Sequence, residues 1–142
     1  MKKPFWIALT VLMLSGLFLA ACGGGSSKPT IVRKDPPAEY AGKTNPYTGD
    51  QAAIDEGKAL YTQNCESCHG TAGLGDGPAG AALDPHPGNL QQASKDASEA
   101  YLFWVVNEGG AAAGRSASMA SYKGILTEDE IWKILAYVKT LK

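Results

Sequence analysis

Hydrophobic residues recur at helical spacing near the end of the chain. The apolar positions there are Ile131, Ile134, Leu135, Val138 and Leu141. Their spacing of three and four residues places them on one face of a helix, which Trp132 and Tyr137 flank. Thr127 and Glu130 have the spacing of a capping box at the start of such a helix. The pattern therefore predicts a C-terminal helix with one buried face.

Residues 51–63 show the same periodicity and predict another helix, with Asp50 as its N-cap. The apolar positions of this stretch are Ala53, Ile54, Gly57, Leu60 and Tyr61. A glycine inside a helix costs roughly 1 kcal/mol relative to alanine. We therefore expect another helix to cross at close range at Gly57.

A further helix is predicted over residues 100–108, and its apolar residues run nearly all round it. Ser98 stands at its start, and Gly109 follows its end. Such a helix must be buried on more than one side. No stretch has the alternation of a strand, so the predicted fold class is all-α.

Two loops separate these helices. Residues 70–90 hold too much glycine and proline for a helix interior or a central strand. The whole connection from there to the next predicted helix, at residue 100, has about 30 residues, which is unusual in a compact domain unless the loop wraps a large rigid group. The second loop, residues 111–119, consists of small residues and Arg115, and it ends at Met119.

The N-terminus has the composition of a targeting segment, with two lysines before an apolar run over residues 5–19 that is too short to predict a membrane span. The run Leu-Ala-Ala-Cys that ends at Cys22 resembles the lipobox of bacterial lipoproteins, whose cysteine is acylated. We expect a signal peptide at 1–21, an acylated cysteine and flexible linker at 22–50, and a folded domain at 51–142. Residues 44–49 can instead form an ordered lead-in packed on that domain. The alternative is an ordinary secretory signal that leaves Cys22 as a free thiol.

The strongest chemical signal is the run Cys-Glu-Ser-Cys-His at residues 65–69. A CxxCH run is the attachment signature of a c-type haem: Cys65 and Cys68 can each bond one vinyl group, and His69 can reach the iron. A CxxC pair also occurs in redox dithiols and in zinc sites. Those alternatives need a thioredoxin strand pattern or a second pair of ligands, and the sequence offers neither.

Composition limits the partners and the iron ligands that the chain can have. The 142 residues carry a formal net charge of -1, so no basic excess favours a nucleic-acid partner. Without residues 1–21, Met119 is the only methionine, and His69 and His86 are the only histidines. A second iron ligand therefore comes from Met119 or His86. Met119 lies far enough along the chain to approach from the opposite side of a haem, whereas His86 is flanked by prolines and only a short loop beyond His69.

The order of helix, CxxCH, Gly/Pro loop, short helix, methionine loop and C-terminal helix resembles a class I, mono-haem cytochrome c over residues 51–142. A looser similarity is to bacterial lipid-anchored members with a Gly-Asp-Gly-Pro loop, here residues 75–78. The resemblance implies helices wrapped around one covalently bound haem c. It also implies that the first and last helices cross, so that Gly57 and Tyr61 meet the face formed by residues 132–137.

The same resemblance implies thioether bonds at Cys65 and Cys68 and iron ligation by His69 and Met119. Many members of the family have a proline directly after this methionine, where this chain has Ala120. A thioether is a soft, neutral ligand that favours ferrous iron.

The family also implies a group of residues around the haem. A loop proline carbonyl accepts a hydrogen bond from the proximal imidazole, for which Pro87 is the first choice and Pro85 the second. Leu90, Trp104 and Tyr122 are expected in the wall of the haem pocket. Arg115 or Trp104 can reach a haem propionate, and Arg115 can equally be solvated.

The expected function is that of a tethered single-electron carrier outside the cytoplasmic membrane, which passes electrons between respiratory or photosynthetic protein partners in transient contacts. With both axial positions filled, no small-molecule substrate and no enzymatic activity are expected. Two alternatives remain open. The chain can be a haem-containing subunit of a larger oxidoreductase complex, or a ligand sensor or peroxidase in which Met119 is labile.

Overall fold

A computed structural model of the protein describes residues 34–142. The predicted signal peptide, the lipobox and Cys22 lie outside the described residues. Five helices follow one another along the described chain: α1 Gln51–Asn64, α2 Glu66–His69, α3 Leu90–Asp96, α4 Glu99–Glu108 and α5 Glu128–Val138. Residues 34–142 contain no β-strand beyond an isolated bridge between Lys123 and Leu126, which confirms the all-α prediction. None of the helices in this part of the chain is long and apolar enough to cross a membrane.

The three predicted helices start where their capping residues indicate. Asp50 accepts a hydrogen bond from the backbone N–H of Ala53 at 3.1 Å, and Ser98 caps α4 through the N–H of Tyr101. Thr127 and Glu130 form the full capping box of α5. These local interactions satisfy N–H groups that a helix leaves without internal partners.

The first and last helices cross with their backbones in contact at Gly57, as the sequence predicted. A Cβ atom at Gly57 would lie 2.0 Å from the carbonyl oxygen of Lys133. Tyr61 and Ile134 are almost fully buried beside this crossing, and Tyr61 packs on Tyr137 with ring centroids 5.3 Å apart. The crossing fixes the end of α1, which leads directly into Cys65.

A second part of the core joins α4 to α5. The rings of Phe103 and Trp132 stack at 4.4 Å, and Ile131 is fully buried next to them. Trp104 and Tyr101 meet edge to face on the same helix. Burial of α4 on several sides agrees with its apolar sequence.

Helix α3 was not predicted, and it shortens the long loop that the sequence indicated. Asn89 caps α3 by accepting the N–H of Gln92 at 3.0 Å. No residue of α3 is fully buried. A short helix of this kind has no apolar stripe, so periodicity could not reveal it.

Residues 34–50, here called the strap, pack on the helices, which differs from the flexible linker that the sequence indicated there. Tyr40 is only 7% exposed and its ring lies 6.1 Å from that of Phe103. The side-chain amide of Asn45 donates to the carbonyl oxygen of Trp132 at 2.9 Å. The strap contributes to the core because its aromatic side chains and buried amide reach α4 and α5.

Candidate functional site

One turn of helix brings together the two thiols and the imidazole of the CxxCH run. Cys65 is the N-cap of α2, and its carbonyl oxygen accepts the N–H of Cys68 at 3.2 Å and that of His69 at 2.9 Å. Residues three and four apart lie on the same side of a helix. The backbone therefore presents all three side chains to one region, and each of them is half-buried.

The thiol environment does not suit a redox dithiol. Burial, together with the neighbouring Cys68, raises the pKa of the Cys65 thiol to about 12. Reactive dithiols instead lower the pKa of the attacking thiol, because the thiolate is the nucleophile. A zinc site is not formed either, since within residues 34–142 no three His, Cys, Asp or Glu side chains are grouped to hold a metal ion.

The imidazole of His69 is oriented by the backbone of the loop. Its Nδ1 lies 3.2 Å from the carbonyl oxygen of Gly88. A carbonyl oxygen only accepts, so Nδ1 carries the proton and Nε2 keeps its lone pair for a metal. Burial lowers the pKa of His69, against the opposing effect of the Gly88 carbonyl, and so favours the neutral ring.

The assignment of this carbonyl to Pro87, or to Pro85, was wrong, because Gly88 provides it. The carbonyl of Pro87 is directed at Gly75, where a Cβ atom would lie only 2.2 Å from it. Gly75 has a positive φ of 87°, which a residue with a side chain rarely adopts. The Pro87 carbonyl thus packs against Gly75, and the next carbonyl along the chain, that of Gly88, accepts the bond from His69.

His86 lies on the same loop, and its ring is tied to that loop. Its Nδ1 is 3.2 Å from the carbonyl oxygen of Gly80, and the residue is exposed. Gly80 packs on α2, where a Cβ atom would lie 2.6 Å from the carbonyl oxygen of Cys68. The structure therefore places His86 on the part of the loop that covers the CxxCH helix. Gly88, whose carbonyl orients His69, follows two residues later in the same loop.

Met119 is half-buried and belongs to residues 110–123, here called the methionine segment. Its carbonyl oxygen accepts the N–H of Gly110 at 2.9 Å. Its link to the thiols is indirect and runs through Tyr122, whose hydroxyl donates to the carbonyl oxygen of Asn64 at 2.6 Å. Burial raises the pKa of Tyr122, and the charges of Cys65 and Cys68 add to the effect.

The other predicted pocket residues lie in separate places. Leu90 packs with the buried cluster around Tyr61, at the start of α3. Trp104 is 5% exposed within α4. The guanidinium Nε of Arg115 donates to the hydroxyl of Tyr101 at 3.2 Å, so Arg115 has a protein partner next to α4.

Sequence reasoning missed two backbone anchors, the carbonyls of Gly88 and Asn64. The signal for Gly88 was present in the Pro-His-Pro-Gly run, but composition does not determine which carbonyl of a loop faces the ring. Asn64 gave no signal, because a backbone carbonyl can accept a bond whatever its side chain.

The donor set fits a covalently attached haem. Two thiols on one helical turn can form thioether bonds, and a neutral imidazole with a free Nε2 can bind iron. The orienting bond from Nδ1 to a carbonyl is the usual support for such a ligand.

A comparison with models of protein families agrees with this chemistry. The family model for cytochrome c matches residues 54–142. The crystal structure of cytochrome CL from the marine methylotrophic bacterium Methylophaga aminisulfidivorans MPT is 28% identical, with a TM-score of 0.49, over 66% of this chain and 58% of that one. The reducing HAO-like protein complex of Kuenenia stuttgartiensis is 24% identical, with a TM-score of 0.50, over 64% of this chain and 44% of that one.

This chain thus spans about half the length of those two structures. A comparison with curated proteins gives no match. The family model covers well over half of the chain, including the CxxCH run, most of α1 and all of the later described helices. The chain therefore belongs to the cytochrome c family, whose members bind a c-type haem covalently and transfer electrons through it.

Proposed function

We propose that this protein is a membrane-tethered carrier of single electrons that uses one c-type haem. The observation that supports it most directly is the bond from His69 Nδ1 to the Gly88 carbonyl, which leaves Nε2 for iron next to both thiols. When bound, the haem iron accepts and donates one electron. The role of the chain is to attach, orient and shield that group.

The proposed ligand roles follow the chemistry of the side chains. Cys65 and Cys68 form the thioether bonds, and His69 and Met119 bind the iron. The neutral imidazole of His69 needs no proton loss before it binds a metal. The thioether of Met119 favours ferrous iron and so raises the reduction potential.

Two permanent protein ligands favour a carrier over an enzyme. A ligand sensor or a peroxidase needs an open position on the iron, and Met119 would close it. The partners of such a carrier are redox proteins that dock transiently. Their identity, and whether the carrier works alone or within a complex, is a separate question from the ligation.

The proposed location is the extracytoplasmic side of a bacterial membrane, at its periplasmic or outer face, with the acyl chains on Cys22 as the anchor. The support is the Leu-Ala-Ala-Cys run before the glycine-rich stretch. Replacing Cys22 with alanine should move the haem protein from the membrane fraction to the soluble extracytoplasmic fraction. Retention in the membrane fraction would argue against the anchor.

The decisive experiment compares Met119→Ala with His86→Ala in the haem-loaded protein. An alkaline pyridine spectrum first establishes the c-type attachment. Met119→Ala should abolish the red absorption band of methionine-ligated ferric haem and lower the reduction potential. His86→Ala is the matched control, since it removes the other available side chain, and it should leave both unchanged. A band that survives Met119→Ala, or is lost in His86→Ala, would contradict the proposed ligation.

A further inference from the structure

The strap and the end of α4 share a polar cluster next to the methionine segment. The hydroxyl of Tyr40 donates to the carboxylate of Glu108. The side-chain amide of Asn107 donates to the Tyr40 hydroxyl at 2.9 Å and to Glu108 at 3.1 Å. Lys123 donates to the same carboxylate at 2.8 Å. One carboxylate thus collects donors from the strap, from α4 and from the methionine segment.

The cluster also holds the backbone of the methionine segment. The carbonyl oxygen of Asn107 accepts the hydroxyl of Ser121 at 2.6 Å and the N–H of Lys123 at 2.9 Å. The carbonyl oxygen of Met119 itself accepts the N–H of Gly110. Met119 and the residues that follow it are therefore fixed to the end of α4 and to Gly110 just beyond it.

The methionine segment has little rigidity of its own. It contains no proline and consists largely of alanine, glycine and serine. Such residues leave the backbone many conformations, so order must come from outside contacts. The strap also reaches the middle of the segment, where a Cβ atom at Gly114 would lie 3.5 Å from Cε of Lys34.

We propose that the strap is a positioning element for Met119, and that Tyr40 acts through Glu108 and Lys123 to keep the methionine segment in its ligating conformation. This inference rests on the proposed function, since it concerns the ligand assigned there. Without the Tyr40 hydroxyl, the Glu108 carboxylate loses one of its three donors and can turn towards solvent. The hold on Lys123 then weakens, and conformations in which Met119 leaves the iron become more populated.

The test is Tyr40→Phe in the haem-loaded full chain, with Tyr47→Phe as the matched control. Both tyrosines belong to the strap, and both hydroxyls donate to a carboxylate, but the partner of Tyr47 is Asp129 on α5. Neither change removes a ring from the core. Each variant therefore loses the same kind of bond, and only Tyr40 is connected to the methionine segment.

Imidazole, added to the oxidised protein and followed by absorption, reports how often Met119 leaves the iron. The apparent dissociation constant of imidazole is inversely proportional to the population in which Met119 has left the iron. Losing one hydrogen bond to a charged group changes such a population by about tenfold. We expect imidazole to bind Tyr40→Phe about tenfold more tightly than the unaltered protein, and Tyr47→Phe with unchanged affinity. Amide hydrogen exchange at Lys123 should accelerate only in Tyr40→Phe.

Equal imidazole affinities in the two variants would overturn the positioning role. Met119→Ala separates this failure from failure of the proposed ligation. If Met119→Ala binds imidazole much more tightly and Tyr40→Phe does not, only the role of the strap is wrong. If Met119→Ala binds imidazole no better than the unaltered protein, the ligation itself is wrong.

Discussion

Replacing Gly57 with alanine tests the helix crossing on which the fold depends. A Cβ atom at this position would lie 2.0 Å from the carbonyl oxygen of Lys133 and 2.4 Å from its carbonyl carbon. Both are backbone atoms of α5, which cannot rotate away as a side chain can. A normal carbon–oxygen contact is above about 3 Å, so α1 and α5 would have to separate by roughly 1 Å.

The expected change in the free energy of unfolding follows from two opposing effects. Alanine is intrinsically better than glycine in a helix by roughly 1 kcal/mol. Overpacking costs about 1–3 kcal/mol, and a clash with rigid backbone belongs at the upper end. Separation would also loosen Tyr61 and Ile134, which are almost fully buried at the crossing. We therefore expect Gly57→Ala to lower the free energy of unfolding by about 2 kcal/mol, which corresponds to a fall in Tm of roughly 10 °C.

Thermal and denaturant unfolding of the haem-loaded protein measure this change. Gly88→Ala is the matched control, because nothing lies within 4 Å of its Cβ position, its φ is not positive, and the change keeps the backbone carbonyl that orients His69. A glycine-to-alanine change at such a site is expected to be neutral or to stabilise by about 0.5 kcal/mol. If Gly57→Ala is as stable as Gly88→Ala, the close contact between the two helices does not exist in solution.

Two further predictions concern the polar contacts. Thr127→Ala removes the capping box of α5 and should lower the free energy of unfolding by about 1 kcal/mol, whereas Thr62→Ala, which breaks an exposed bond to Glu66, should change it by less than about 0.5 kcal/mol. Lys123 and then Tyr40 lower the pKa of Glu108 below its ordinary 4.5, so its stabilising effect is complete above that pH and is lost as the pH falls through the lowered value. Urea unfolding at neutral and acidic pH should show a smaller acid-induced loss of stability in Glu108→Gln, and an identical loss would contradict this linkage.

The sequence predicted the helices that have local signals. Asp50 and Thr127 mark helix starts because a capping side chain bonds a backbone group only two or three residues away. Gly57 predicted the crossing because a glycine inside a helix is unfavourable without a packing reason. Helix α3 has neither an apolar stripe nor a buried residue, so nothing in its pattern distinguished it from the preceding loop.

Long-range contacts explain what the sequence could not reveal. Tyr40 lies in a stretch of proline, glycine and charged residues that is typical of a linker, and its partner Glu108 is 68 residues away. The same limit applies at the candidate site. The CxxCH run is local and was visible, whereas the choice of Gly88 over Pro87 depends on how the loop packs against Gly75.

The two proposed iron ligands are therefore held by different kinds of interaction. His69 follows α1, which the helix crossing fixes, and its ring is oriented by a carbonyl of the loop packed on α2. Met119 lies in a segment of small residues that is held by polar contacts from α4, the strap and Tyr122. Apolar packing couples His69 to the stability of the whole domain, since separating α1 from α5 unfolds the core. Polar contacts at the surface, such as the exposed bond from Lys123 to Glu108, can open locally at a lower free energy. Under the proposed ligation, mutations at the crossing should reduce global stability first, and mutations in the strap should release Met119 while the domain stays folded.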